Sequence, residues 1–302
     1  MILLMMSIKR CLFVCILSLF PLCANSQEQK WELAIELEKQ DYLIYEDIWL
    51  DLTLTNITSD SIRTVGIGTP NHRGFYVVVK DASGAELEYT GPVYGFLSSP
   101  GRLIMAGDYE YQSFNLPELF GKSNCEYEYR APSSYLPAGR YSVQANFDGA
   151  VSNIIFFGIV EPSGSELEAL KLLDRARAIL ITGEPIHLGV PIYQELLDKY
   201  PNSVYAEKSY KYTLKDSQAS RAAIESGTFD WRAYTLDMLE KFPNSGTARG
   251  RLQWLIEDLE KESREEVLDE FIQTKPNTRC AKCSRQMLKQ IKQKHEFEHK
   301  GE

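Results

Sequence analysis

The chain repeats Tyr193-Gln-Glu-Leu-Leu-Asp-Lys-Tyr-Pro-Asn-Ser203, once as Thr235-Leu-Asp-Met-Leu-Glu-Lys-Phe-Pro-Asn-Ser245 and more weakly as Leu268-Asp-Glu-Phe-Ile-Gln-Thr-Lys-Pro-Asn-Thr278. Each copy has the apolar spacing of an amphipathic helix. The proline ends that helix, because it lacks a backbone N–H and disfavours helical backbone in the residue before it. The Asn-Ser or Asn-Thr that follows is a good N-cap for a new helix. The repeat therefore predicts pairs of helices; the alternative is that unrelated helix ends share these residues by chance.

Helical spacing begins after a linker, Pro162-Ser-Gly-Ser165. Ala169, Leu173 and Ala176 then fall on one face of a helix. Further helices are predicted at about 189–199, 204–225, 230–241, 246–260, 262–274 and 278–296. We therefore expect an α-helical domain over residues 163–302.

Residues 31 to about 160 have the patterns of strands. Trp31-Glu-Leu-Ala-Ile-Glu-Leu-Glu38 and Ile48-Trp-Leu-Asp-Leu-Thr-Leu-Thr-Asn56 largely alternate apolar and polar residues, so one face can be buried and the other wetted. Phe147-Asp-Gly-Ala150 separates two further strands, and Asp-Gly is a strong hairpin turn because both residues tolerate positive φ. Seven to nine short strands without a helix between them predict an antiparallel β-sandwich over residues 27–162.

Two parts of the chain resemble known families. Leu136-Pro-Ala-Gly-Arg-Tyr-Ser-Val143 resembles the P-x-G-x-Y-x-V ending of exported bacterial immunoglobulin-like domains, which implies an immunoglobulin-like sandwich whose Tyr packs under the sheet edge. The repeated Pro-Asn-Ser junctions resemble those of exported tetratricopeptide-like proteins, whose period is roughly 34 residues. This resemblance implies a stack of helical hairpins. The Trp and Leu-Gly of the tetratricopeptide first helix are missing here, so we expect a degenerate stack.

The first 26 residues have the features of a signal peptide. Lys9 and Arg10 precede an apolar run that ends at Cys23, and Ala24-Asn-Ser26 offers a small-x-small cleavage site. The run is shorter than the roughly 20 apolar residues that span a bilayer. We therefore expect an exported protein without a transmembrane segment, periplasmic or secreted. Lipid attachment at Cys23 is the alternative, and it fits less well because Phe-Pro-Leu precedes that cysteine.

Charge and motifs exclude several functions. The net charge of −9 argues against a nucleic-acid binder, which needs many Lys and Arg side chains against phosphate. The sequence has no G-x-S-x-G, no phosphate loop and no dinucleotide fingerprint. With only four histidines, it offers little material for a His-based triad or metal centre. We therefore predict neither enzymatic activity nor a cofactor.

Cys280-Ala-Lys-Cys283 is the motif with the most chemical potential. With His295 and His299 it approaches zinc-finger spacing, but the intervening residues have a continuous helix pattern, which would separate Cys283 from His295 by roughly 18 Å. A C-x-x-C pair at a helix N-terminus could instead exchange disulfides, because the helix end stabilises a thiolate. However, thioredoxin-like enzymes place this motif after a strand of an α/β fold. A local disulfide or two free thiols is the simpler prediction.

Aromatic residues are dense between residues 89 and 135. Alternate core positions would explain most of them. If some are exposed, they could form a ligand-binding face, because aromatic rings bury a large area at low entropic cost. The candidate ligand-facing residues are Tyr94, Phe96, Tyr109 and Tyr111.

A non-enzymatic binding or scaffold function fits these features best, because helical repeats present concave surfaces to protein partners. The expected partner is another exported or envelope protein. One alternative is an inhibitor or sensor that uses the sandwich loops. The other is a thiol-redox protein that uses Cys280 and Cys283.

Overall fold

Strands fill the first part of the chain and helices the second in a computed structural model that describes residues 29–64, 67–68, 70–71, 74–91, 102–121, 134–181, 188–213 and 230–300. The described strands are β1 (Trp31–Leu37), β2 (Asp41–Leu43), β3 (Trp49–Asn56), β4 (Ile62–Thr64), β5 (Phe75–Asp81), β6 (Arg102–Ile104), β7 (Tyr109–Asn115), β8 (Gly139–Phe147), β9 (Ala150–Val151) and β10 (Ile155–Val160). The described helices are α1 (Leu116–Phe120), α2 (Gly164–Ile181), α3 (Val190–Lys199), α4 (Ala206–Thr213), α5 (Trp231–Lys241), α6 (Gly246–Asp258), α7 (Lys261–Thr274) and α8 (Arg279–Lys300). The chain is therefore a mixed β and α protein. The predicted signal peptide, with Cys23, lies outside the described residues.

The change from strand to helix falls within the predicted linker, because β10 ends at Val160 and α2 begins at Gly164. The expectation of no helix among the strands is wrong at α1, a five-residue helix with a proline in its first turn, where the missing N–H costs no helical hydrogen bond. The strands and helices that follow Lys30 form one compact unit. Among the described helices, none is long and apolar enough to cross a membrane.

Two sheets share one core. β1, β3 and β7 form an antiparallel sheet in the order β1-β3-β7. The second sheet has the order β2-β10-β8-β5, with β9 beside β8 and β2 parallel to β10. Side chains alternate between the two faces of each strand, and the inward ones of both sheets pack together. This shared core includes Leu33, Ile35, Leu50, Leu52, Leu54, Val77, Val79, Val143 and Phe157.

The predicted Asp-Gly hairpin is confirmed. Asp148 and Gly149 have φ of 48° and 86° and join β8 to β9, which pair antiparallel. Near the start of β8, Tyr141 is buried and stacks on Phe157 with ring centroids 5.5 Å apart. Its hydroxyl donates a hydrogen bond to the Pro137 carbonyl at 2.8 Å. This tyrosine therefore ties its strand to the loop that precedes it.

The three repeated segments end their helices with the same backbone geometry. Tyr200, Phe242 and Lys275, each just before a proline, have φ of −134°, −127° and −135° and ψ of 55°, 57° and 54°. Each donates its N–H to the carbonyl four residues earlier, at 2.9, 2.8 and 3.1 Å. The helix ends predicted from the repeat are therefore confirmed at all three positions.

The backbone that follows each proline is also alike in the three repeats. The Ser or Thr after Pro-Asn donates its N–H to the carbonyl of the residue before the proline, at 3.0, 2.9 and 3.1 Å. Three residues further on stand Ala206, Ala248 and Ala281, and all three are fully buried. A small side chain there allows the neighbouring backbone to approach closely, since the side chains at a helix contact set its spacing.

Candidate functional site

The outer face of the three-stranded sheet is covered by helix ends. On β3, Trp49 and Asp51 point away from the core, because the leucines next to them point into it. Cross-strand pairing puts Ser113 of β7 opposite Asp51, on the same outer face. The first turns of α4, α6 and α8 carry side chains that reach this face, as the following contacts describe.

Asp51 is the centre of a buried polar network. Arg279, the first residue of α8, donates from Nε to Asp51 Oδ1 at 2.7 Å, and the Tyr111 hydroxyl donates to the same oxygen at 2.7 Å. Lys282 Nζ lies 3.7 Å from the other carboxylate oxygen. The Arg279 side chain is only 2% exposed. Burial, and then the Asp51 charge, raises the pKa of Tyr111 far above its usual value, so the phenol stays a donor.

A second buried ion pair joins the sheet to α4. Lys208 Nζ lies 2.8 Å from Asp47 Oδ1, and both side chains are less than a tenth exposed. The Asn115 amide donates to the same oxygen at 3.0 Å, and its own carbonyl oxygen accepts the Ile48 N–H. Burial alone would raise the pKa of Asp47, but the positive charges of Lys208 and Lys211 outweigh burial and hold it below its usual value.

Glu207 is a half-buried carboxyl group next to this ion pair and lines the junction cleft described below. The Ser245 hydroxyl, which also caps α6 by accepting the Ala248 N–H at 3.0 Å, donates to Glu207 Oε1 at 2.6 Å. Burial, and then the negative charge of Asp47, raises the pKa of Glu207 to about 7. In α2, Glu166 accepts the Ser203 hydroxyl at 2.7 Å, so the serine of each Pro-Asn-Ser segment donates to a Glu of an earlier helix.

Two clefts lie where the helices meet the sheet. The junction cleft, of about 360 Å³, is lined by the Pro-Asn-Ser segments 201–203 and 243–245, by Glu38 just after β1 and by Trp49 of β3. The edge cleft, of about 380 Å³, is lined by β7, α6, α7 and α8. Both volumes lie in the range of about 300–1,000 Å³ that is typical of ligand sites.

Gly246, the first residue of α6, lies against the indole ring of Trp49 and gives a test of this contact. A Cβ on Gly246 would lie 2.2 Å from ring atoms Cη2 and Cζ2. We expect Gly246→Ala to lower the free energy of unfolding by about 1–3 kcal/mol, because the ring must shift. Gly250→Ala is the matched control: a Cβ there meets nothing within 4 Å, and helix propensity should add about 0.5–1 kcal/mol. Urea unfolding measures both, and equal effects would contradict the tight contact.

Known proteins give no further assignment. No protein-family model and no curated protein matches the sequence. Solved structures with partial likeness include the alkylpurine DNA glycosylase AlkC of Pseudomonas fluorescens bound to DNA (TM-score 0.26, 10% identity, 43% of this chain and 30% of that one). They also include the CARDB domain of PF1109 from Pyrococcus furiosus (0.24, 9%, 44% and 96%) and a β-glucosidase from Listeria innocua with isofagomine (0.26, 12%, 43% and 16%). This chain spans less than a third of the glycosylase and of the glucosidase, and likenesses this weak carry no argument.

The aromatic residues predicted to face a ligand have different environments. Tyr111 is buried, and its hydroxyl donates a hydrogen bond to Asp51. It also borders the edge cleft. Tyr109, two residues earlier on the same face of β7, is 43% exposed. Tyr94 and Phe96 lie outside the described residues.

The two cysteines near the start of α8 are free thiols. Cys280 is fully buried in the helical core, whereas Cys283 borders the edge cleft and donates to Met287 Sδ at 3.7 Å. Burial raises the pKa of Cys280 to about 12 and also raises that of Cys283. Reactive C-x-x-C pairs need a lowered pKa, so the environment of this pair opposes thiolate chemistry. α8 is one helix from Arg279 to Lys300, as predicted for the segment between Cys283 and His295.

These thiols should react slowly with alkylating reagents. We expect iodoacetamide at pH 8 to modify Cys280 and Cys283 at least about tenfold more slowly in the native chain than in urea, because each unit of raised pKa lowers the thiolate fraction about tenfold. Peptide mapping by mass spectrometry measures each cysteine separately. Native labelling of Cys283 as fast as in urea would instead indicate an activated thiol.

Sequence patterns did not single out Glu207, and they did not predict that Asp47 and Asp51 bind side chains of the helices. A signal was present in β3, where Asp51 is the one charged residue of Trp49–Asn56. A charged side chain that points outward from a strand contacts either solvent or an oppositely charged group. The sequence alone does not distinguish these two cases. Within the described residues, no group of three or more His, Cys, Asp or Glu side chains could hold a metal ion.

Proposed function

We propose that this chain is an exported, non-enzymatic protein that binds another exported or envelope protein and acts as a scaffold. In this proposal the strand half is an immunoglobulin-like sandwich, supported by two sheets around one core and by Tyr141 bonded to Pro137. The helical half is a degenerate tetratricopeptide-like stack, supported by three junctions with equal backbone geometry.

The observation that carries the proposal is the way in which the helices close over the sheet. Helix starts bring Lys208 and Arg279 onto the buried carboxylates of Asp47, just before β3, and Asp51 of β3, so the two halves form one body with clefts along the join. Buried, hydrogen-bonded charges fix relative position, since any shift would leave a charge without its partner. Such a body presents a rigid composite surface, which suits recognition of a protein partner.

The test uses the whole chain, because the sheet face around Trp49 and Asp51 is covered only when the helices are present. Residues 27–302, immobilised through the C-terminus, should bind an envelope protein in a saturable manner. A heat-unfolded sample should not. Retention of no protein would contradict the function. If the retained protein were a protease, and a peptide with the sequence of a sandwich loop displaced this chain from it, the inhibitor alternative would be favoured instead. Catalysed reduction of a disulfide substrate would favour the thiol-redox alternative.

A further inference from the structure

The edge strands of the two sheets are not equally protected. At the β1 edge, the Asn153 side chain donates to the Ile35 carbonyl and accepts the Ile35 N–H, at 3.1 and 3.0 Å. At the β5 edge, residues 85–87 bond the strand, with Leu87 N–H donating to the Val79 carbonyl at 2.8 Å. Unpaired edges invite another strand, so natural proteins usually close or charge them. These two edges are each partly covered by side-chain or loop groups.

β7 is the other edge of its sheet, and every second residue turns its backbone groups away from β3. Leu116 N–H donates to the Ile48 carbonyl, and the Asp108 carbonyl accepts the Asn56 N–H, both at 2.9 Å. The even-numbered residues therefore face β3, and the odd-numbered ones face outward. Within the described part of the chain, the backbone N–H and C=O groups of these outward residues have no partner. They are Tyr109, Tyr111 and Ser113, since Asn115 is the N-cap of α1 and its carbonyl accepts the first bond of that helix.

The edge cleft runs along this open edge. Tyr111, whose backbone groups face outward, and its neighbour Gln112 both line it, so the cleft borders this strand. Its far wall is made by α6 and α8, with Gln253, Gln286 and Gln290 among its lining residues. Amide side chains both donate and accept hydrogen bonds. They therefore match the polar backbone of an extended peptide.

The charges of the cleft favour an acidic occupant. Arg249 donates from Nη1 to the Ser113 hydroxyl at 2.9 Å, and Arg264 donates to the carbonyls of Leu259 and Glu257. Among the described residues, neither arginine has a carboxylate partner. Glu257 is the one carboxylate that lines the cleft, and its Oε1 accepts from Gln253. Two guanidinium groups against one carboxylate leave a positive charge for a partner to match.

We propose that the edge cleft receives an extended, acidic segment of the partner protein, which adds to β7 as a new strand. The segment pairs with the outward backbone groups of β7, and an acidic side chain reaches Arg249. In β-strand addition, main-chain hydrogen bonds supply affinity and side-chain contacts supply specificity. This inference rests on the proposed function, since it names how the protein partner would be recognised.

The test uses residues 27–302 and synthetic probes. The probe is an acetylated seven-residue peptide of alternating threonine and valine with a central glutamate. A second peptide has lysine at the centre. Two more carry N-methyl groups on every second amide, one in each phase, which removes donors along one edge of the strand. We expect saturable binding of the glutamate peptide, about tenfold tighter than the lysine peptide because of the charge match. At least one N-methylated form should not bind.

Hydrogen exchange then locates the probe. The amides of Tyr109, Tyr111 and Ser113 should exchange quickly in the free chain and become protected when the glutamate peptide is bound. Arg249→Met should reduce the preference for glutamate, and Arg251→Met on the same helix is the control, since Arg251 stacks on Trp254 and does not line the cleft. Absence of binding, equal binding of all four peptides, or protection elsewhere would overturn the inference. An envelope protein retained equally by Arg249→Met would leave the proposed function standing and remove only the strand-addition mode.

Discussion

Arg279→Met is expected to lower the free energy of unfolding by about 3–5 kcal/mol, because it leaves the Asp51 carboxylate buried without its main partner. Methionine keeps much of the aliphatic volume, so the effect reports the charge. Tyr111 and Lys282 still contact Asp51, which places the expected loss toward the lower end of the range. Urea unfolding with linear extrapolation measures the change.

Two further variants separate the ion pair from its packing. The double variant Asp51→Leu with Arg279→Met should recover much of the lost stability, since apolar replacement of a whole buried pair is often neutral. Arg232→Met breaks an exposed pair with Asp258 in which both side chains are about half exposed, and it should cost less than about 1 kcal/mol. If Arg232→Met and Arg279→Met cost the same, Arg279 would not fix the helices to the sheet.

Glu207→Gln is expected to stabilise the chain at alkaline pH and to have little effect in acid. The unfolded carboxyl has a pKa near 4.5 and the folded one near 7. Between these values the native state holds a proton that the unfolded state has released, so stability contributed by Glu207 falls as pH rises from about 4.5 to 7. Glutamine mimics the protonated group, so the variant should gain on the order of 2 kcal/mol above pH 7.

The measurement is urea unfolding at a series of pH values from 5 to 8.5. Glu195→Gln is the control, because the hydrogen bond and charge of Lys199 lower the pKa of that exposed carboxyl; it should show no gain at alkaline pH. The lowered pKa of Asp47 acts in a different window, below about 3.8, where protonation would remove stability. A Glu207→Gln difference that is constant over the series would contradict a raised pKa of Glu207.

The parts of the fold that follow from local chemistry could be predicted from the sequence. Proline before Asn-Ser ends a helix through its own missing N–H, and the three junctions have the same backbone angles. Asp148-Gly149 likewise specifies its hairpin through positive φ. Both effects act within a few residues, so the local sequence pattern is sufficient to predict the helix ends and the hairpin.

The candidate site could not be predicted in the same way, because its contacts join distant parts of the chain. Asp51 and Arg279 are 228 residues apart, and Asp47 and Lys208 are 161 apart. Strand alternation indicates that Asp51 points outward, but not that a helix start covers it. The open β7 edge depends on sheet order, which single-strand patterns do not encode. Of the aromatic candidates, Tyr111 lies beside the cleft because of that order.

Because helix starts cover the sheet, the fold can be completed only after the last helix has been synthesised. The carboxylate of Asp51 is made early in synthesis, and its guanidinium partner comes 228 residues later. Until α8 has formed, Asp51 and the outward ring of Trp49 have no cover from that helix. Contacts of such long sequence separation slow folding, and partly covered intermediates tend to associate with one another. A nascent or truncated chain that stops before Arg279 would therefore carry a surface that its own cell must shield.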